Sequence, residues 1–169
     1  NFQRIKKSKR IRVFTMATVD AVEGEKGNFT VTVKTEPRFV NANCTGCGDC
    51  ASASTSEIPN PFNYGLDTIK SAYLPHEMAY PMRYVVDASV KGTPEADAIA
   101  ASCKYDAINM DEAEETFDLN VGAIVWATGW QPYDAANITA YGFGAVPNVI
   151  NNVQMERLAS HNGPTDGKI

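Results

Sequence analysis

Four cysteines are the residues of this chain whose type and spacing could carry chemistry. Three stand two residues apart in a loop that also holds Gly46 and Gly48, and the fourth lies far along the chain. They are Cys44, Cys47, Cys50 and Cys103. A C-x2-C-x2-C run with one remote thiolate is typical of the ligands of a cubane iron–sulfur cluster. The spacing therefore predicts that the four cysteines hold one 4Fe-4S cluster, and it indicates electron transfer.

The positions at which a second cluster would find its ligands hold other residues. In the pattern C-x2-C-x2-C-x3-C, the fourth cysteine of each run binds the other cluster. The fourth position of the first run is Ser54, and counting back from Cys103 gives Thr93, Ala96 and Ile99. One ligand set is thus complete and the other is lost entirely, which indicates a two-cluster module reduced to one cluster.

Other uses of these cysteines are weighed against iron. Four thiolates also satisfy tetrahedral zinc, but zinc sites usually show two separated C-x2-C pairs, and the second pair is missing here. Disulfides are disfavoured because Cys44 and Cys47 are close together and no secretory context is visible. Covalent haem is excluded because Gly48, not histidine, follows Cys47. The alternatives to a redox role are a zinc-stabilised interaction module and a scaffold that has lost its cluster.

Length and charge limit the other classes of function. The chain has 169 residues, 44% of them hydrophobic, which is enough for one or two packed domains. The net charge is −5, yet residues 1–12 are basic and contain no acidic side chain. Nucleic-acid binding is not expected, since no aromatic platform accompanies this stretch. The chain begins without methionine, and we expect it to be a piece of a longer polypeptide.

No membrane span is expected either. The longest strongly apolar run, residues 123–127, is far shorter than the roughly 20 residues that a bilayer requires. Thiolates that bind a cluster need a reducing compartment, which predicts a cytoplasmic location. No catalytic acid or base is predicted, because His76 and His161 are isolated in the sequence.

The elements that position the cysteines follow from local patterns. Residues 11–35 alternate apolar and polar side chains on both sides of a turn at 24–27, which predicts a β-hairpin. Thr93, followed by proline, is a typical helix start. The predicted helix runs to about Ser102 and delivers Cys103 to the cluster.

The remaining segments are more varied. Four prolines and four tyrosines in residues 55–92 predict a largely irregular excursion packed over the cluster. Two short strands are expected at 107–110 and 116–119. The continuous apolar run at 121–129 predicts a strand that is buried on both faces and ends in a small-residue turn.

Six segments carry a resemblance to a known family. They are residues 27–31, the cysteine loop 44–50, and residues 60–66, 121–129, 148–158 and 162–165. These segments resemble the A subunit of heterodisulfide reductase, and more closely its relative, the A subunit of the quinone-interacting membrane-bound oxidoreductase of sulfate reducers. The resemblance covers nearly the whole chain. Lys104 departs from the family in replacing the proline that commonly follows the fourth cysteine, and we expect it to face solvent.

The resemblance implies an α+β chain in which a ferredoxin-like iron–sulfur insert interrupts the β-meander of a truncated FAD-binding, thioredoxin-reductase-like α/β domain. It assigns residues 1–37 and 112–169 to the partial flavoprotein domain and residues 38–111 to the insert. Ala127, Thr128 and Gly129 match the strand-end turn beside FAD. The G-x-G-x-x-G turn that cradles the FAD pyrophosphate is absent. We therefore expect this chain alone to bind FAD weakly or not at all.

The implied function is that of an electron-transfer flavoprotein subunit. It would pass electrons between FAD and a single 4Fe-4S cluster to other redox subunits of a membrane-associated complex, with a sulfur-metabolism reductase as a candidate partner. The implied location is cytoplasmic, with attachment to the membrane through partner subunits. The chain by itself is expected to be inactive.

Overall fold

The computed structural model describes residues 2–169, which form short helices and strands joined by long irregular segments. The α-helices are α1 (Phe2–Lys7), α2 (Asp49–Ala53), α3 (Pro94–Ser102) and α4 (Asn152–Ala159). The strands are β1 (Ala17–Glu25), β2 (Asn28–Thr35), β3 (Glu57–Pro59), β4 (Thr68–Lys70), β5 (Ala72–Tyr73), β6 (Val85–Val86) and β7 (Glu115–Val121). Short 3-10 helices lie at Pro61–Asn63, Ala88–Val90, Ala135–Asn137 and Thr139–Tyr141.

The largest sheet is antiparallel, with the strand order β1-β2-β7. The alternation of apolar and polar residues along β2 places Val31 and Val33 on the buried face, 8% and 6% exposed. Gly24 has a φ of +96°, and an added Cβ would lie 2.2 Å from the carbonyl oxygen of Asn28, so the end of the hairpin requires glycine there. The predicted hairpin is confirmed, although its first strand begins at Ala17 rather than at residue 11.

A second packed region lies between β2 and β7 in the sequence. Its core consists of Phe39, Val40, Cys50, Ala72, Val86, Val90, Ile99 and Ala107. Helices α2 and α3 pack against each other, and β5 pairs with β6 beside them. The predicted helix is confirmed: α3 begins at Pro94 and ends at Ser102. The core therefore holds both elements that carry cysteines.

Arg38 and Glu112 join this region to the sheet. One carboxylate oxygen of Glu112 accepts the backbone N–H groups of Arg38 and Phe39, at 3.1 and 2.5 Å. The buried Arg38 guanidinium donates to Thr15 Oγ1 at 2.8 Å and to the Arg83 carbonyl at 3.4 Å. Burial and the nearby Arg83 charge lower the pKa of Arg38. The chain therefore enters and leaves the cysteine region at one hydrogen-bonded junction.

Two predicted strands are corrected by the structure. At 107–110 only an isolated bridge forms, between Val40 and Ile108, while the strand expected at 116–119 extends to Glu115–Val121. The strand expected at 121–129 is wrong beyond Val121: residues 123–134 adopt neither helix nor strand, and Val125 is 88% exposed. A strand buried on both faces needs neighbours on both sides. Among the described residues, none pairs with this segment.

The excursion at 55–92 contains more order than expected. It forms the short pairs β3–β4 and β5–β6 between irregular stretches. Ser71 and Ala72 are completely buried within it. None of the helices in the described part of the chain has the length and apolar character needed to cross a membrane.

Candidate metal centre

The loop that carries three of the cysteines owes its path to two glycines. Gly46 and Gly48 have φ values of +75° and +89°, which side chains rarely adopt. Helix α2 begins directly after Gly48, so Cys50 lies in its first turn. Cys50 is buried, Cys44 is partly buried and Cys47 is exposed. The loop therefore presents its thiols at graded depths, from core to surface.

Helix α3 brings the fourth cysteine to the same place. Thr93 caps the helix, since its Oγ1 accepts the N–H of Ala96 at 3.4 Å. The helix ends at Ser102, and Cys103 is its C-cap residue. The backbone N–H of Ala107 donates to Cys103 Sγ at 3.3 Å, which fixes the thiol. Cys103 is thus anchored at a defined position in the core region.

All four cysteines line one pocket. Its apolar walls include Val40, Ala107 and Ile108, and Tyr84 forms part of its rim. The structure therefore brings together the residues that the sequence predicts as ligands, and no disulfide joins them. Their role as ligands stays a prediction.

The thiols do not stand in the arrangement that a single metal ion requires. Among the described residues, no three His, Cys, Asp or Glu side chains converge closely enough to hold one ion. Tetrahedral zinc with 2.3 Å bonds to sulfur would hold its sulfurs about 3.8 Å apart. A cubane cluster places each cysteine on a different iron atom, so its sulfurs lie farther apart. The donor set and its spread thus fit a cluster better than a zinc ion.

Electrostatics in the pocket call for positive charge. Burial, followed by the charges of Cys44 and Cys47, raises the pKa of Cys50 to about 11. Burial also raises the pKa of Tyr84, followed by the influence of the same three cysteines. Several sulfur anions around one apolar space repel one another, whereas bound iron would neutralise them.

Lys104 contributes at the edge of the site. Its side chain is 79% exposed, and Nζ lies 3.2 Å from Oδ2 of Asp49. This hydrogen bond and the Asp49 charge raise the pKa of Lys104. The lysine faces solvent, as expected, and its ion pair links the end of α3 to the start of α2.

The positions of the lost second ligand set also come together. Ser54, Ala96 and Ile99 are 4%, 4% and 0% exposed, at the contact of α2 with α3. Thr93 serves as the cap of α3. Protein atoms therefore fill the place where a two-cluster module would carry its other ligands.

Glu95 organises the polar part of this filling. Its Oε1 accepts hydrogen bonds from Ser54 Oγ, Ser71 Oγ and the N–H groups of Thr55 and Ser56, at 3.0, 2.8, 2.8 and 2.9 Å. Its Oε2 accepts the Ser56 hydroxyl. The bonds from Ser56 are the main reason that the pKa of Glu95 lies far below its usual range. Sequence reasoning missed this role, because Glu95 reads only as part of a helix start.

The remaining predicted residues lie elsewhere. Ala127, Thr128 and Gly129 are exposed in the irregular segment 123–134 and do not line the cysteine pocket. Their contact with FAD stays a prediction. His76 stacks on Phe62, with ring centroids 5.2 Å apart, which is a packing role.

Known proteins resemble this chain over nearly its whole length, although no family model matches it. It is 38% identical over 160 residues to the first iron–sulfur A subunit of the CoB–CoM heterodisulfide reductase of Methanopyrus kandleri, covering 94% of this chain and 24% of that protein. It is 39% identical over 158 residues to the corresponding iron–sulfur A subunit of Methanocaldococcus jannaschii, covering 93% of this chain and 24% of that protein.

A third relative is the A subunit of the H(2):CoB–CoM heterodisulfide,ferredoxin reductase of Methanothermobacter thermautotrophicus, 35% identical over 164 residues, or 96% of this chain and 25% of that protein. The chain spans about a quarter of the length of the relatives it matches. Homologues at this level thus carry the subunit name that the sequence resemblance predicts, and they are redox subunits.

Proposed function

We propose that this chain is the iron–sulfur segment of an A subunit of the heterodisulfide reductase type, and that Cys44, Cys47, Cys50 and Cys103 bind one 4Fe-4S cluster in it. The observation that carries the proposal is the meeting of all four thiols, from two separate elements, at one pocket. The names of the homologues, which are iron–sulfur subunits, support it.

The residues of the chain have defined tasks in this proposal. The cluster supplies one-electron transfer when it is bound. Val40, Ala107 and Ile108 keep water from the inner side, where Cys50 is buried. The exposed Cys47 marks the side on which electrons enter or leave, because electron transfer favours the shortest path to a partner.

The flavin part of the proposal extends to the complete protein. The sheet β1-β2-β7 supports it, since β2 and β7 are neighbours although the cysteine region separates them in sequence. That is the arrangement expected when an insert at 38–111 interrupts a β-meander formed by residues 1–37 and 112–169. In the complete protein, Ala127, Thr128 and Gly129 then contact FAD.

The partners are proposed on the same basis. Electrons pass between FAD, the cluster and other redox subunits of a membrane-associated complex on the cytoplasmic side. The likeness to the subunit from sulfate reducers favours a sulfur-metabolism reductase among these partners. The names of the methanogen relatives specify a CoB–CoM heterodisulfide for those proteins.

Anaerobic reconstitution tests the cluster. The chain is incubated with iron and sulfide under reducing conditions, and bound iron, bound sulfide, visible absorbance and the electron paramagnetic resonance spectrum after reduction are measured. We expect about four iron and four sulfide per chain. Each Cys→Ser variant should lose most of both.

Ser52→Ala is the matched control, because Ser52 lies on α2 between Cys50 and Ser54 but outside the pocket lining. It should retain the full cluster. One zinc per chain without sulfide would replace the proposal by a zinc-stabilised interaction module. Metal content and stability that do not change in Cys103→Ser would leave a scaffold without a cluster.

A further inference from the structure

Tyr84 is held firmly at the rim of the cysteine pocket. It directly precedes β6, whose Val85 and Val86 are 4% and 1% exposed. The N–H of Val86 donates to the Arg38 carbonyl at 3.1 Å, at the junction with the sheet. The Tyr84 side chain packs against the core that contains Cys50. Its position is therefore set by the fold and not by a flexible loop.

The hydroxyl of Tyr84 points toward the cysteine loop. A Cβ added to Gly48 would lie 3.1 Å from the Tyr84 hydroxyl oxygen and 3.9 Å from the ring carbon that bears it. Gly48 stands directly after Cys47 and two residues before Cys50. The phenol is thus directed at the part of the loop between two of the proposed ligands.

This hydroxyl has no protein acceptor. Across residues 2–169, no hydrogen bond to the Tyr84 hydroxyl is found, although the side chain is partly buried. A phenol in such a place usually finds an acceptor. Sulfur atoms are the acceptors that the pocket would offer once a cluster is bound.

We propose that the Tyr84 hydroxyl donates a hydrogen bond to a sulfur atom of the bound cluster or of its cysteine ligands, and that this bond raises the reduction potential of the cluster. The inference rests on the proposed function. Reduction adds one electron, so the reduced cluster is more negative and gains more from the donor. The phenol keeps its proton, and no bond to Tyr84 forms or breaks.

Removal and strengthening of the donor make opposite predictions. The chain is reconstituted with iron and sulfide and titrated with dithionite, and the midpoint potential is read by electron paramagnetic resonance. Tyr84→Phe keeps the ring and removes the hydroxyl, so the midpoint should fall while the iron and sulfide content stays constant. Replacing Tyr84 by 3-fluorotyrosine, a stronger donor of the same shape, should raise the midpoint.

Tyr105→Phe is the matched control. Tyr105 lines the same pocket but is 47% exposed, so loss of its hydroxyl should leave the midpoint where it is. Resonance Raman spectra provide a second readout: the Fe–S bands should shift in D2O, and Tyr84→Phe should lose part of that shift. Both changes report on a hydrogen bond rather than on folding.

The outcomes separate the two proposals. A parent chain that takes up no cluster removes the proposed function itself. Full clusters with one midpoint in the parent, Tyr84→Phe and the fluorotyrosine chain would overturn the role of Tyr84 and leave the cluster intact. Equal shifts in Tyr84→Phe and Tyr105→Phe would also overturn it.

Discussion

The Oγ atom of Ser54 lies 3.0 Å from Oε1 of Glu95, at the position where a two-cluster module would carry a cysteine of its second cluster. A second hydroxyl, that of Ser71, lies 2.6 Å from Ser54 Oγ and is completely buried. A carboxylate and two hydroxyls therefore connect α2, α3 and β5 where iron and sulfide would otherwise do so. Stability that a cluster would contribute comes here from charge-assisted hydrogen bonds.

Glu95→Gln should destabilise the protein. The variant keeps the shape but loses the charge that strengthens the bonds from Ser54, Ser56 and Ser71. We expect the free energy of unfolding to fall by about 1–3 kcal/mol. Urea unfolding followed by circular dichroism measures this. Asp97→Asn, an exposed acidic residue in the same first turn of α3, is the control, and an equal loss there would contradict the role of Glu95.

The Glu95 contribution should depend on pH with a definite sign. The pKa of Glu95 is lowered in the folded protein from an ordinary value of 4.5, with hydrogen bonds from Ser56 as the main cause. A depressed folded pKa stabilises the protein fully above the unfolded value, and this stabilisation is lost as the pH falls below it. The difference in unfolding midpoint between the parent and Glu95→Gln should therefore shrink below about pH 4.5. A difference that grows on acidification would contradict this.

Gly48→Ala should impair the cluster site more than the fold. Alanine at a φ of +89° costs about 1–2 kcal/mol, and its Cβ would meet the Tyr84 hydroxyl at 3.1 Å. Gly92→Ala is the control, because Gly92 has a φ of +75° with nothing within 4 Å of an added Cβ. Both variants should lose similar stability in urea. Only Gly48→Ala should bind less iron and sulfide, and equal iron content in the two would show that the contact with Tyr84 is unimportant.

The sequence predicts most of what depends on local signals. The hairpin follows from alternation along β2, α3 follows from the Thr93 cap, and the convergence of the cysteines follows from their spacing. The segment at 123–134 fails because strand formation depends on a neighbouring strand, which a local apolar run does not specify. Glu95 was missed for a similar reason, since its partners Ser54–Ser56 and Ser71 are distant in sequence.

Glu112→Gln should weaken the junction between the sheet and the cysteine region. The charged oxygen that accepts two N–H groups, those of Arg38 and Phe39, becomes neutral, and Arg38 is 8% exposed. We expect a loss of about 1–3 kcal/mol in the free energy of unfolding. Glu114→Gln removes an exposed ion pair with Lys34 and should cost less than about 1 kcal/mol. Equal losses in the two variants would show that the junction adds no more than a surface pair.

The last prediction concerns flavin. The three residues expected beside FAD lie between Trp126 and Trp130, which are 64% and 68% exposed, so flavin bound there should quench tryptophan fluorescence. The chain contains only these two tryptophans, which makes the signal specific to this segment. Because the sequence has no G-x-G-x-x-G turn to hold the pyrophosphate, we expect weak, non-saturating quenching and little FAD retained on dialysis. Stoichiometric retention with saturable quenching would mean that residues 123–134 and the sheet bind the flavin without that turn.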